Sequence, residues 1–252
     1  MTYSIVARDA ATGQFGIAVA SRFFAVGALV PHVRGGRAAV ATQAFVNPRI
    51  GLIAADRIAA GEAAPGVLAA LLAEDEGRDH RQVHMIDAAG RIAAHTGARC
   101  IDWAGQVSAD GVSVAGNMLA GPDVVRAALA SYLAHAALSL PERLMTAMEA
   151  GEAAGGDKRG RQSAALRVHR GEDYPWGDIR ADDHGNPLAE LRRLYDVAHE
   201  RFLHFADAMA TRENPSGLRD RSSLDLRIAE EERRRAAAGI PSRSLATPLP
   251  PT

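Results

Sequence analysis

Strand-like and helix-like segments come in runs along this chain, and that order constrains the fold more than any other feature. Tyr3, Ile5 and Ala7 alternate with Ser4, Val6 and Arg8, the two-residue period of a strand. Ala11 to Gly13 reads as a turn and Gln14 to Ser21 as the return strand, so the chain opens on a hairpin. Arg37 to Phe45 is a further strand. Gly51 to Gly61 and Pro65 to Ala73 are Ala- and Leu-rich helices punctuated by Gly and Pro. A second group of strands covers 82–87 and 91–96, followed by a pair around the turn Asp110–Gly111. Two helices come next: Pro122 to Leu138, and one from Ser139 to about Gly151 that opens with Glu142 in a capping-box position. Residues 163–170 and 179–182 return to strand. Pro187 then opens a long helix with Leu188, Leu191, Leu194, Ala198, Phe202, Phe205 and Met209 as its apolar stripe. Strict βαβ alternation would imply a parallel sheet. Segregated runs imply an α+β fold, two sheets with helices outside.

The pattern weakens after Arg212. "RENPSGLRDRSS" has linker composition, "LDLRIAEEERRRAAAG" a charged helical one, and the end is rich in Pro and Ser. The expected organisation is one domain over 1–212 and an appendage over 213–252, flexible or wrapped on a partner. Its charged segment is unstable alone, which suggests a homo-oligomer.

Composition excludes several classes. The formal charge is −1, so no long-range pull toward nucleic acid or an anionic membrane is expected. No apolar run approaches the roughly 20 residues of a membrane span. No basic region followed by an apolar stretch marks a secretory signal, so a cytoplasmic location is expected. Cys100 is the one cysteine, which forbids an intrachain disulfide and argues against a Cys-based zinc site. His80 and His84 are four apart, but His84 falls in a strand pattern. "DDHG" at 182–185 reads as a helix start before Pro187. Neither a Walker A loop nor a G-x-S-x-G elbow occurs. Neither a metal nor a cofactor is expected.

Three stretches carry candidate chemistry. The first is Thr2. Aminopeptidases remove an initiator Met that precedes a small residue, which would leave Thr2 with a free α-amine beside its hydroxyl. An α-amine titrates at about 7.7–8.0, close enough to neutrality to take the hydroxyl proton during attack. Met-Thr is also a common protein start without catalytic meaning. The second is "GGDKRGRQSA" at 155–164, where Asp157, Arg159, Arg161, Gln162 and Ser163 sit beside glycines that permit close backbone approach. A solvated polar turn is its plainer reading. The third is "AGNMLAGPD" at 115–123, where Asn117 ends a strand and its amide can donate to an oxyanion or simply serve a turn.

Taken in order, "TYSIVARDAATGQFGIAVASRFFAVGALVPHVRGG", "AVATQAFVNPRIG", "HRQVHMIDAAGRIAAHTG", "GNMLAG", "GGDKRGRQSAAL" and "DIRADDHGNPLAELRRL" resemble successive blocks of the DUF1028 family, from Thr2 to about Leu194. That family is grouped with the N-terminal nucleophile (Ntn) hydrolases. The resemblance implies a four-layer αββα sandwich with Thr2 at the nucleophile position on the first strand. The start also looks like a proteasome β subunit, whose return strand ends near an acidic residue and "SR". Here "ASR" spans 20–22, but Ala20 stands where the acid would be. The proteasomal lysine has no counterpart either: His32, Arg34 and Arg37 occupy that region, and an arginine stabilises charge without accepting a proton.

The implied activity is hydrolysis of the C–N bond of a small amide or peptide, without a cofactor and with the Thr2 amine as base. Backbone N–H groups near Thr42 and Gln43, and the Asn117 amide, are the candidate oxyanion donors. Asp157, Arg159, Arg161, Gln162 and Ser163 would orient the amine or grip a substrate carboxylate, with His32 and Arg34 as further binding candidates. Ser4 shares a strand face with Thr2, as a weaker nucleophile or a hydrogen-bond partner of its amine. The alternative is an inactive Ntn scaffold that binds a small metabolite or a protein.

Overall fold

The computed structural model describes residues 2–247. Its chain order is β1 (Thr2–Arg8), β2 (Phe15–Ser21), β3 (Pro31–Arg34) and β4 (Ala38–Ala44), then α1 (Pro48–Ala59) and α2 (Ala64–Glu74). β5 (Arg81–Asp87), β6 (Ile92–Thr96), β7 (Trp103–Ala109) and β8 (Val112–Leu119) follow, then α3 (Asp123–Ala134) and α4 (Leu140–Ala153). β9 (Ser163–His169) and β10 (Gly177–Ala181) precede α5 (Pro187–Glu200), α6 (Phe202–Ala206) and α7 (Ser222–Ala237). The fold is thus mixed α+β with two antiparallel sheets. One sheet has six strands in the order β10-β9-β2-β1-β8-β7, the other four in the order β3-β4-β5-β6. The chain divides into two compact units after Leu191.

In the first unit the two sheets pack face to face, with α3 and α4 against the six-stranded sheet and α1 and α2 against the four-stranded one. Strand alternation decides which residues meet where. Val6, Ile17, Val19, Ala39, Ala41 and Ile86 form an apolar cluster between the sheets. On the far side of the smaller sheet Val40, Val83 and Met85 pack with Ile50, Ala54 and Val67 of the helices. On the far side of the larger sheet Tyr3 reaches α4, its hydroxyl lying 3.0 Å from both Met148 O and Glu152 Oε2, which share its one proton. Burying a Val, Ile or Met side chain contributes about 1.5–3 kcal/mol. Both faces of each sheet are therefore committed, which is why β1, β2, β4 and β5 are buried almost throughout.

Local signals explain the helix ends. Asn47 caps α1, its side chain accepting from Arg49 N at 3.2 Å, with Pro48 at the first helical position. Ser139 does precede α4, but its hydroxyl donates to Glu142 Oε2 at 2.6 Å and makes no cap bond to a backbone amide. α1 lies close on β3 because Gly51 has no side chain: a Cβ there would meet the His32 ring at 2.3 Å.

Two expectations need correction. Pro31–Arg34 is a strand that sequence reading passes over, being four residues long with proline first. The long helix expected from Pro187 stops at Glu200, because Arg201 leaves the helical region at φ −149°, ψ −44°. Phe202, Phe205 and Met209 therefore leave the stripe and are 50%, 43% and 38% exposed.

In the second unit, α7 arises from the charged segment expected there. Leu224 and Ile228 bury its apolar side. Arg235 is buried and donates to Asp196 Oδ1 at 2.9 Å, to Asp196 Oδ2 at 3.1 Å and to Pro241 O at 3.2 Å. That bidentate pair ties α7 to α5 within the unit.

Candidate functional site

The space between the sheets has an apolar half and a polar half. Beyond Val6 and Ile86, the inward positions become Thr2 and Ser4 on β1, Gln43 on β4, Gln82 and His84 on β5, and Ser113 and Asn117 on β8. All seven are buried. Such a group is stable only if its hydrogen bonds are satisfied, and here they close into one chain. Ser4 Oγ donates to Gln43 Oε1 at 2.7 Å. A hydroxyl has one proton, so toward His84 Nε2, at 2.8 Å, Ser4 accepts. His84 is then protonated on Nε2, and its Nδ1 accepts from Ser113 Oγ at 2.9 Å. Gln43 Nε2 donates to Gln82 Oε1 at 2.9 Å and to Ala115 O at 3.2 Å. Gln82 Nε2 donates to Gly116 O at 2.8 Å and Thr96 Oγ1 at 2.9 Å. Burial alone pushes His84 down to about 3, so its ring is neutral.

Thr2 sits at the end of this chain. Its carbonyl accepts from Asn117 Nδ2 at 3.4 Å and Gln43 Nε2 at 3.5 Å, one amide from each sheet. Asn117 Nδ2 also donates to Gln82 Oε1 at 3.0 Å. The Thr2 hydroxyl lies 3.1 Å from Ser21 Oγ across the β1–β2 pair. Although only 7% exposed, Thr2 lines a cavity of about 340 Å³ with Phe23, Val26, Val30, Gln43 and Phe45 among its other walls. Among the described residues no charged side chain lines that cavity.

The candidates from sequence divide sharply. Thr2, Gln43 and Asn117 come together. Ser4 shares their face, but its proton is committed to Gln43, so His84 does not act on it as a base. Thr42 and Gln43 point to opposite sides of β4: Thr42 Oγ1 donates to Asn47 O at 3.4 Å and its N–H to Val30 O at 3.2 Å. That N–H is engaged within the fold.

Asp157, Arg159, Arg161, Gln162 and Ser163 do not line the cavity; they hold the segments around it. Asp157 accepts from Arg22 N at 2.8 Å and Arg159 N at 2.9 Å, fixing the residue after Ser21. Arg161 pairs with Glu152. Gln162 N donates to Ser21 O at 3.1 Å. Ser163 donates to Phe23 O and accepts from Val26 N at 3.1 Å, which shapes one wall. His32 and Arg34 lie elsewhere: His32 is at 3.2 Å from Val30 O and packs on α1, and Arg34 pairs with Asp56 at 2.6 Å. Cys100 Sγ donates to Arg81 O at 3.5 Å, and burial pushes its thiol pKa up, against thiolate chemistry. Lys158 pairs with Asp102 at 2.7 Å. Among the described residues no group of three or more His, Cys, Asp or Glu is placed to hold a metal ion. No helix among them is long and apolar enough to cross a membrane.

Gln82, His84 and Ser113 were missed from sequence. Their signal was a polar residue at alternate positions of an otherwise apolar strand, as in Gln82–His84, on the face a neighbouring sheet must cover.

Comparison with known proteins decides the family. The model of DUF1028, a family of unknown function, matches residues 2–191. The chain belongs to the DUF1028 family. The match ends where the first compact unit ends. A crystal structure from the same family, protein SPO2555 from Silicibacter pomeroyi, is 29% identical. It covers 87% of this chain and 96% of its own, with a TM-score of 0.80. Anbu (ancestral beta-subunit) from Yersinia bercovieri aligns over 77% of the chain and 92% of its own, at 9% identity and a TM-score of 0.39. No curated protein matches.

Proposed function

We propose that this DUF1028 protein is an Ntn-type amidohydrolase that uses Thr2 as nucleophile once Met1 is removed. The reading takes the fold as the αββα sandwich of that class. It is supported by the layering of α3 and α4, the six-stranded sheet, the four-stranded sheet, and α1 and α2. The observation that carries it is Thr2, nearly buried yet in the wall of a cavity large enough for a small substrate.

In this reading the α-amine of Thr2 takes the proton of Oγ1 as that oxygen attacks the amide carbonyl carbon. The tetrahedral intermediate collapses with cleavage of the C–N bond, and the proton passes from the amine to the leaving nitrogen. An ester to Thr2 remains. Water attacks it, giving its proton to the same amine; the C–O bond to Thr2 breaks and Oγ1 recovers a proton. The products are a carboxylic acid and an amine. Asn117 acts here as a positioning residue, since its amide holds the Thr2 carbonyl and Gln82. Ser21 is placed to orient the nucleophilic hydroxyl.

Intact mass spectrometry checks the first requirement: the mature protein should lack Met1 and gain one β-lactone adduct at Thr2. Thr2→Ala should lose about a thousandfold or more in turnover, and Thr2→Ser should keep measurable activity. Retained Met1, or undiminished turnover in Thr2→Ala, sinks the proposal. The uncharged lining of the cavity favours a second reading, a binding site for a small apolar metabolite. Ligand bound and never turned over by the wild type would decide for that reading.

A further inference from the structure

A second cavity, of about 210 Å³, adjoins the first. The two share Ala44 and Phe45 as a common wall. Thr2 lines the first and Asn117 the second, and these residues face each other in the β1–β8 register. The two cavities therefore flank this register pair, one on the Thr2 side and one on the Asn117 side. The backbone is strained there. Ala44, at the end of β4, has φ +69°, and Met118, next to Asn117, has φ +54°. Each left-handed non-glycine residue costs of order 1 kcal/mol and persists where surrounding structure holds it, commonly beside ligand sites.

The two cavities differ in polarity. Among the described residues the first has no ionisable side chain in its lining, and the second is lined by His80 and Arg99 and by no acidic residue. Arg99 is exposed, and its guanidinium makes no ion pair among the described residues. Neighbouring Arg81, by contrast, is committed to Asp75 at 2.9 Å.

We infer that the substrate is an N-acylated amino acid with an apolar acyl group and a free α-carboxylate. The assignment rests on the Thr2 reading. Thr2 lies in the apolar cavity, so the carbonyl it attacks belongs to the group filling that cavity. The nitrogen must then leave on the Asn117 side, where Arg99 can hold the carboxylate of the departing amino acid with a charge-assisted bond and His80 adds a further donor. Water and one amide bond are consumed, and an apolar carboxylic acid and a free amino acid are released. A charged acyl group would lose its hydration in the first cavity with no partner to replace it.

The test compares N-hexanoylglycine with N-ethylhexanamide, which lacks the carboxylate, with N-hexanoylethylenediamine, whose leaving group is cationic, and with N-succinylglycine, whose acyl group is charged. N-hexanoylglycine should be cleaved with a kcat/KM about tenfold or more above each of the others. Arg99→Gln should collapse the ratio of N-hexanoylglycine to N-ethylhexanamide, mainly through KM, and Arg99→Lys should restore part of it. Equal rates on those two substrates, or a preference for the cationic one, in a protein that a β-lactone labels at Thr2 would overturn the inference and leave the nucleophile standing. If the protein is neither labelled nor active, the Thr2 reading has failed instead. Calorimetry then decides the site: tighter binding of N-hexanoylglycine than of N-ethylhexanamide upholds it, and equal or absent binding overturns it.

Discussion

Ser4 and His84 look at first like a nucleophile and its base, and their hydrogen bonds argue otherwise. The serine proton points at Gln43, and the imidazole N–H points at the serine. The pair is a structural joint between sheets. Its ring stays neutral when folded, with a pKa lowered from 6.5 to about 3. Between those values the unfolded chain binds a proton that the folded chain does not. Stability from this group is therefore full above pH 6.5 and declines as pH falls, by about 1.4 kcal/mol per pH unit. His84→Gln keeps a donor and an acceptor in the joint without the titration. Urea unfolding at pH 6.5 and 4.5 should show a shallower loss in the variant; equal losses would mean that His84 does not titrate as described. Thr2 was legible as the residue that loss of Met1 would expose and Asn117 as an amide at a strand end, whereas Gln43 was expected for its backbone N–H and reaches Thr2 through its side chain. Their arrangement was not legible, because it depends on which residues of β4 and β5 lie opposite β1 and β8, a long-range pairing with no local sign. Asp157 and its neighbours were ambiguous in sequence for a related reason: the same polar groups that suit a ligand also suit the turn that holds Arg22.

Helix α1 and strand β3 show how one missing side chain sets a packing distance. Gly51→Ala would drive a Cβ into the His32 ring and should destabilise by about 1–3 kcal/mol. Gly66, in the first turn of α2, meets nothing within 4 Å. Gly66→Ala should stabilise by about 0.5–1 kcal/mol, because alanine has less freedom to lose on folding. Thermal melts of the two variants should move in opposite directions, and a common direction would refute the packing account. A strand such as β5 was readable because Gln82 and His84 alternate with Val83 and Met85, although both of its faces are buried. β3 was too short to show a period. The stripe of α5 could be followed too far because spacing alone does not reveal that Arg201 leaves the helix.

At the scale of the whole molecule, the chain carries two compact units, and a charged stretch with little propensity to stand alone becomes helix α7 in the second. Its anchor is the Arg235–Asp196 pair. Arg235→Ala removes the bidentate partner of the half-buried Asp196 carboxylate and should release α7 first. Hydrogen exchange should show faster exchange across 222–237 with β1, β2 and β5 unchanged; a uniform loss of protection would mean that the pair stabilises more than its own unit. The hold on Thr2 has a different reach. Its carbonyl is gripped by amides from both sheets at once, so any slip of one sheet against the other is felt at that residue. The start of the chain thereby becomes a gauge of how well the two layers are aligned, and catalytic competence would track that alignment.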